Sequence, residues 1–252
     1  MSRRSLAGGI LLLWAVGLGL LAHRQFGKTD DQRLAEAARQ IYPATYYYLV
    51  YQGGTPIGSA SSQVDTAIGQ TREFRITDRF RGKLTLSGKA RVMTASSVAY
   101  LSRRLSLDSF ALEATGGRRP FRLKAVIPKP PAVLLPSLVP IVFMMSGSPK
   151  LGRSRSYGIY EPIGDSVAHV TLSVAAESLF TVSDSATYDS TTRRWTSAHA
   201  DTVRSWSVAP MASSFIVWVD AQGRVVSARG PAGLSLVRTS YEMAFANWHS
   251  GH

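Results

Sequence analysis

His199 stands two residues before Asp201, the nearest approach to a catalytic pair in the chain. A His–Asp pair does chemistry when a serine or cysteine is held on the far side of the imidazole. No nucleophile motif accompanies this one, so hydrolysis is not expected from it. The remaining histidines are His23, His169, His249 and His252, and none has an H-E-x-x-H or comparable spacing. Cysteine is absent, which excludes thiol catalysis and cysteine-ligated zinc. Glycine is frequent, yet neither G-x-G-x-x-G nor a Walker loop occurs. Asp184, Asp189 and Asp201 are scattered and suit turns better than a calcium loop. Phe74, Ile76 and Asp78 fall on one face of a strand, Arg75 and Thr77 on the other. The chain reads as a non-enzyme with no cofactor and no metal.

The elements say more about place than about chemistry. Leu6 to Ala22 is an uncharged run of about 17 residues, near the lower limit for a membrane span. Its apolar body is Leu11, Leu12, Leu13, Trp14, Val16, Leu18, Leu20 and Leu21. A secretory signal has a shorter core and a small-residue cleavage site. Here Leu20-Leu21-Ala22-His23-Arg24 follows, so the run is expected to stay as an anchor. Arg3 and Arg4 favour a cytoplasmic amino terminus, although Arg24 and Lys28 weaken that bias. The expected location is a bacterial inner membrane, single-pass, with the main domain in the periplasm. A cysteine-free chain is compatible with that oxidising compartment.

Charged residues make up only 18% of the chain, yet the net charge is +13. The excess is mostly arginine, as in Arg103, Arg104, Arg118, Arg119, Arg193 and Arg194. A tethered basic domain suits anionic lipid or an acidic partner subunit. No nucleic-acid-binding motif accompanies the charge, so nucleic acid is not expected as a partner.

Three segments follow the pattern of hydropathy. Residues 1–28 form the cytoplasmic tip and anchor. Residues 29–43 are expected as an amphipathic connecting helix, capped by Thr29 and Gln32 and stopped by Pro43. Residues 44–252 alternate as strands do, and form the β domain. The expected strands are Thr45–Gln52, Ile57–Thr66, Thr71–Arg81, Lys83–Met93, Ser97–Leu107, Phe110–Ala114 and Pro120–Ile127. Arg155–Tyr160, Ala168–Val174, Leu179–Asp184, Thr187–Trp195, Asp201–Ala209, Ser214–Asp220 and Arg224–Ala228 follow. Gly82, Gly88 and Gly116-Gly117 read as turns or bulges. Ser240–Trp248 reads as a short helix. The fold class is mainly β: a transmembrane helix, then a large curled antiparallel sheet, half-barrel or sandwich, with short helices.

Pro130–Pro149 interrupts the strands without a single charge until Lys150. Leu134, Leu135, Leu138, Ile141, Phe143, Met144 and Met145 are its candidate contacts with lipid or a partner. Pro136 and Pro140 argue against an uninterrupted membrane helix. A buried crossover with a short helix plugging the sheet is one reading; an apolar loop reaching lipid or a partner is the other.

Tyr47–Thr66 (YYLVYQGGTPIGSASSQVDT), Trp206–Trp248 and Tyr157-Gly158-Ile159-Tyr160-Glu161-Pro162 carry a resemblance. Together they resemble the extracytoplasmic β domain of bacterial membrane-anchored transglutaminase-like proteins, and more distantly periplasmic lipoprotein-carrier half-barrels. The resemblance implies an anchored β domain. The catalytic module and its cysteine nucleophile have no counterpart here, so the family's activity is not carried over. The leading expectation is a non-catalytic accessory subunit docking its β domain on a larger membrane complex, an energy-transducing one being a candidate. The alternative is a periplasmic lipid- or amphiphile-binding or transfer domain, and the remote one a degenerate transglutaminase-like protein.

Overall fold

A computed structural model describes residues 42–68, 72–86, 88–102, 105–116, 120–126, 133–134, 139–147, 149–161, 166–210 and 215–249. The expected anchor and connecting helix lie outside the described residues. Among the described residues no helix is long and apolar enough to cross a membrane.

The first half of the chain forms β1 (Ala44–Gln52), β2 (Thr55–Ile68), β3 (Arg72–Leu86), β4 (Lys89–Leu101), β5 (Leu107–Thr115) and β6 (Phe121–Val126). The second half forms β7 (Val133–Leu134), helix α1 (Val139–Met145), β8 (Ser154–Glu161), β9 (Ser166–Asp189) and β10 (Arg194–Pro210). It ends in β11 (Ile216–Asp220), β12 (Val225–Arg229), β13 (Leu234–Thr239) and helix α2 (Tyr241–His249). All strands belong to one open sheet in the order β6-β5-β4-β3-β2-β1-β13-β12-β11-β10-β9-β8-β7. Every pairing is antiparallel except the two-residue contact of β7 with β8.

The central apolar segment falls where the chain passes from one edge of the sheet to the other. The first and last strands of the domain, β1 and β13, pair in the middle of the sheet. The chain therefore finishes its first half at one edge, β6, and resumes at the opposite edge, β7. The link between them lies outside the described residues; α1 follows β7, in the connection that leads to its parallel neighbour β8. Val142 and Phe143 are wholly buried, and α1 packs against β8 and β11. Pro140 occupies the first turn of α1, where its missing N–H has no helical partner to lose. The core gathers around this helix: Val64, Ile76, Leu101 and Phe110 from one half, Tyr160, Val174, Val208 and Val219 from the other.

Several expected boundaries move. Gly82 is not a turn; it lies within β3, opposite Gly58 of β2. A Cβ on Gly58 would stand 2.4 Å from the Gly82 Cα, so the two strands pass here only because both residues lack side chains. The expected strand Ser97–Leu107 is cut at Leu101, and β5 begins at Leu107. The strands expected at Ala168–Val174, Leu179–Asp184 and Thr187–Trp195 merge into the 24-residue β9 and the start of β10. Their turn is at 190–193, where Asp189 accepts hydrogen bonds from the Thr191 and Thr192 amides. Bulges at Ser197–Ala200 and at Ser207/Val208 bend this long hairpin. β13 was not among the expected strands; it follows directly on the short turn at Pro231–Gly233.

α2 is the last element of the described chain. It touches β1 and β2 on one side and β9 and β10 on the other. In a flat sheet β1 and β10 would be four strand spacings apart, about 19 Å. A nine-residue helix is only about 13 Å long. The sheet and its long hairpin therefore bend toward one another around α2.

Candidate functional site

Two clefts occupy opposite faces of the same strands. The face that meets α1 is called inner, and the register of β1 to β5 writes its composition directly. One transverse inner row runs Tyr46–Ser62–Asp78–Ser97–Leu112, and the next runs Tyr48–Ala60–Phe80–Ala95–Ala114. Ala60 and Ala95 flank Phe80 with almost no side chain. The volume they leave is part of a cavity of about 450 Å³. Pro140 and Ile141 of α1, Val217, Val225, Ala228 and Leu236 complete its apolar walls. That volume falls within the range of small-molecule sites.

One carboxyl group opens onto this apolar space. Asp78 accepts hydrogen bonds from Ser62 Oγ at 2.6 Å and Ser97 Oγ at 3.3 Å, its cross-strand neighbours on either side. Burial pushes its pKa above the ordinary carboxylate value, and the two serine hydroxyls oppose that shift. Tyr48, nearby, is held protonated far above the ordinary tyrosine range by burial, with Arg238 opposing. At the rim, Arg224 lies 5.9 Å over the Tyr46 ring while its Nε donates to Asp220 Oδ2 at 2.6 Å. Asp220 is 4% exposed and also accepts from Arg238 and from the amides of Gln222 and Arg224. It ties the β11–β12 turn to β13. The turn itself abuts α1: a Cβ on Gly223 would stand 2.5 Å from the Ile141 Cα.

The outer cleft encloses about 570 Å³ under α2. Its rows are offset by one residue: Tyr47–Ser61–Arg79–Ser96–Glu113 and Leu49–Ser59–Arg81–Thr94–Thr115. Tyr241 and Phe245 of α2 stack on each other at 5.1 Å, and both meet the Tyr47 ring edge-on. The lining is therefore hydroxyls, two arginines and an aromatic end wall.

The residues singled out from sequence are distributed as follows. Phe143 and Met144 are buried in the core and Ile141 lines the inner cavity. Met145 belongs to α1 and Leu134 to β7, while Leu135 and Leu138 lie outside the described residues. Arg193 and Arg194 are exposed at the tip of the β9–β10 hairpin. Arg103, Arg104, Arg118, Arg119 and the eight anchor residues lie outside the described residues. His199 pairs with Asp184 at 2.9 Å, across the hairpin, rather than with its sequence neighbour Asp201 alone. That hydrogen bond raises the His199 pKa and lowers that of Asp184. Asp201 is close enough to complete a three-ligand group, and all three residues are exposed. Asp184 and Asp201 are strand residues, not turn residues. The cavity itself was not foreseen. Its sequence signal was Asp78 on an apolar strand face, with small residues at Ala60 and Ala95.

No protein-family profile matches this chain, and no curated protein matches it in sequence. A solved structure is similar in fold: a β-barrel-like protein of the domain of unknown function DUF1849 from Brucella abortus. The match has a TM-score of 0.50 at 11% identity, and covers 78% of this chain and 94% of that one. At that identity the likeness concerns the fold alone.

Proposed function

We propose that this protein is a membrane-tethered, non-catalytic module that binds the apolar part of a lipid-like amphiphile on the inner face of its curled sheet. The observation that carries this reading is the 450 Å³ apolar cavity between α1 and the Ala60–Phe80–Ala95 row. Of the two functions expected from the sequence, an accessory subunit calls for a filled core, whereas an amphiphile binder calls for retained space beside the crossover. Empty apolar volume costs stability, about 24 cal/mol per Å³ in cavity-forming variants. A domain that keeps such space gains from a ligand that fills it. The polar groups at its wall suit one end of an amphiphile. Asp78 with Ser62 and Ser97 can exchange hydrogen bonds with a neutral head, and Arg224 at the rim faces an acidic one. The uncharged run Leu6–Ala22 would hold the trough close to its supply of ligand.

The test is the content of the cavity after purification. The full-length chain, extracted from membranes and washed, is expected to release a lipid-like compound in near-stoichiometric amount on organic extraction and mass spectrometry. Ala95→Trp fills the space from the floor and should deplete that compound at least ten-fold while the variant still melts cooperatively. Ala60→Leu serves the same purpose if the tryptophan does not fit. An empty parent, or a filled variant that retains the compound, defeats the reading.

A further inference from the structure

We infer that the outer cleft is a separate site for an acidic saccharide, a sugar unit carrying one carboxylate or phosphate. The inference does not rest on the inner cavity. It rests on what the register sets out along the other face of β1 to β5.

Ser61, Ser96, Thr94 and Thr115 stand beside Arg79 and Arg81 in two adjacent rows. Residues two apart on a strand project from the same face, about 6.6 Å apart along it. The Arg79 guanidinium can therefore reach an anionic group in the cleft, with the charge of Arg81 in the next row, and a planar guanidinium fork matches carboxylate and phosphate geometry. Glu113, at the end of the Arg79 row, does not cancel this charge, because its carboxylate pairs with Arg122 at 3.4 Å. Arg79 itself has no ion-pair partner among the described residues. The remaining floor is hydroxyl and amide: Ser59, Ser61, Gln63, Ser96, Thr94 and Thr115.

Ser59 adds an independent observation. It is 1% exposed, and its Oγ is the buried side-chain polar atom among the described residues that lacks a hydrogen-bond partner. A buried hydroxyl left unpaired is costly, and native proteins keep few of them. Its position is the floor of this cleft, between Leu49 and Arg81. A hydroxyl-rich ligand drawn against that floor would supply the missing partner.

At the other end, the Tyr241 ring is about half exposed and backed by Phe245 and Tyr47. An exposed, braced ring offers an apolar face to the C–H side of a sugar, with its hydroxyls left to the polar floor. The cleft is concave and overhung by α2, which suits a compact sugar unit better than a flat lipid surface. An acid group at the arginines, hydroxyls along the serines and threonines, and a ring face against Tyr241 describe one molecule.

The experiment titrates the full-length chain, in a polyoxyethylene detergent, with glucose 6-phosphate, glucuronate, glucose and inorganic phosphate, read by calorimetry. One or both acidic sugars should bind saturably, at least ten-fold tighter than glucose. Arg79→Gln should weaken that binding ten-fold or more without moving the melting temperature, and Tyr241→Ala several-fold. Retention of the inner compound by Tyr241→Ala, a residue of the outer cleft alone, should be unchanged, which separates this site from the proposed amphiphile site. Absence of saturable binding by both acidic sugars overturns the inference. So does inorganic phosphate binding as tightly as the sugar phosphate, which marks a bare anion site. Insensitivity to Arg79→Gln overturns it as well.

Discussion

Asp78 and Arg79 are consecutive residues of one strand with opposite fates. Asp78 turns inward among Ser62, Ser97 and apolar walls, and the water it loses raises its pKa above the ordinary carboxylate value. Arg79 turns outward between Ser61 and Ser96 and keeps its hydration. Both are flanked by serines on the neighbouring strands, so the difference does not come from the nearest residues. It comes from what covers each face. The inner face lies under the crossover helix α1, which carries no charge; the outer face lies under the edge of α2, which leaves much of the cleft to solvent. A strand alternates its side chains with period two, but whether a given face is dry is decided by a segment more than sixty residues away in sequence.

The sharpest break of this comparison is at α1. Phe143 is fully buried and meets Tyr157 edge-on at 6.3 Å. Phe143→Ala should cost about 3–5 kcal/mol in a denaturant titration. Because α1 packs only on the inner side, ligand retention there should fall first, before the outer cleft loses its structure. Equal loss of both at low denaturant would show that the two faces do not behave separately.

Gly223→Ala should have a smaller effect on the same face. The residue has φ +76° and its new Cβ would stand 2.5 Å from the Ile141 Cα. Overpacking of this kind costs about 1–3 kcal/mol. The helix must shift away from the β11–β12 turn, and Ile141 with it, so inner-ligand retention should change while acidic-sugar binding does not. Parallel changes in both would sink the assignment of α1 to one face.

Asp78→Asn should give the smallest change, and one with a defined pH dependence. A carboxyl whose folded pKa is raised above its unfolded value binds more protons when folded. Stability is then greatest below the unfolded value near 3.8 and falls as pH rises through the raised folded value. Asparagine keeps an acceptor for Ser62 and does not ionise. The variant should match or exceed the parent's melting temperature at pH 7, and the parent's loss of stability between acid and neutral pH should shrink in the variant. A variant less stable at pH 7 by several degrees would mean that the ionised carboxylate is itself a needed hydrogen-bond acceptor. The outer cleft, which Asp78 does not face, should be unaffected at every pH.

Much of the molecule was readable from residue order alone. Period-two alternation from Thr45 onward predicted a large antiparallel β domain, and Gly53-Gly54 marked its first hairpin. The proline-broken, uncharged run Pro130–Pro149 stood out as either a buried crossover with a short helix or an apolar loop reaching lipid or a partner, and in its described part Val142, Phe143 and Met144 are buried. Even Asp78 could be placed on the face of Phe74 and Ile76. Those features are local: they follow from side-chain direction, turn conformation and hydropathy within a few residues.

Pairing partners are not local, and there the tertiary structure decided. That β1 meets β13, that β6 and β7 therefore stand at opposite edges, and that α1 packs on β8 and β11 are consequences of strand order. Strand order is set by the burial of the whole apolar face at once. The same cause places Ser62 and Ser97 on Asp78, lines up Ala60 and Ala95 into a cavity, and gathers Arg79, Arg81 and Tyr241 around one cleft. It moved Gly82 from an expected turn into a strand, because the opposing Gly58 gave it room. It also exchanged His199's sequence neighbour for Asp184 across the hairpin. Residue order determined which side chains could share a face; only the register across strands determined which of them share a site.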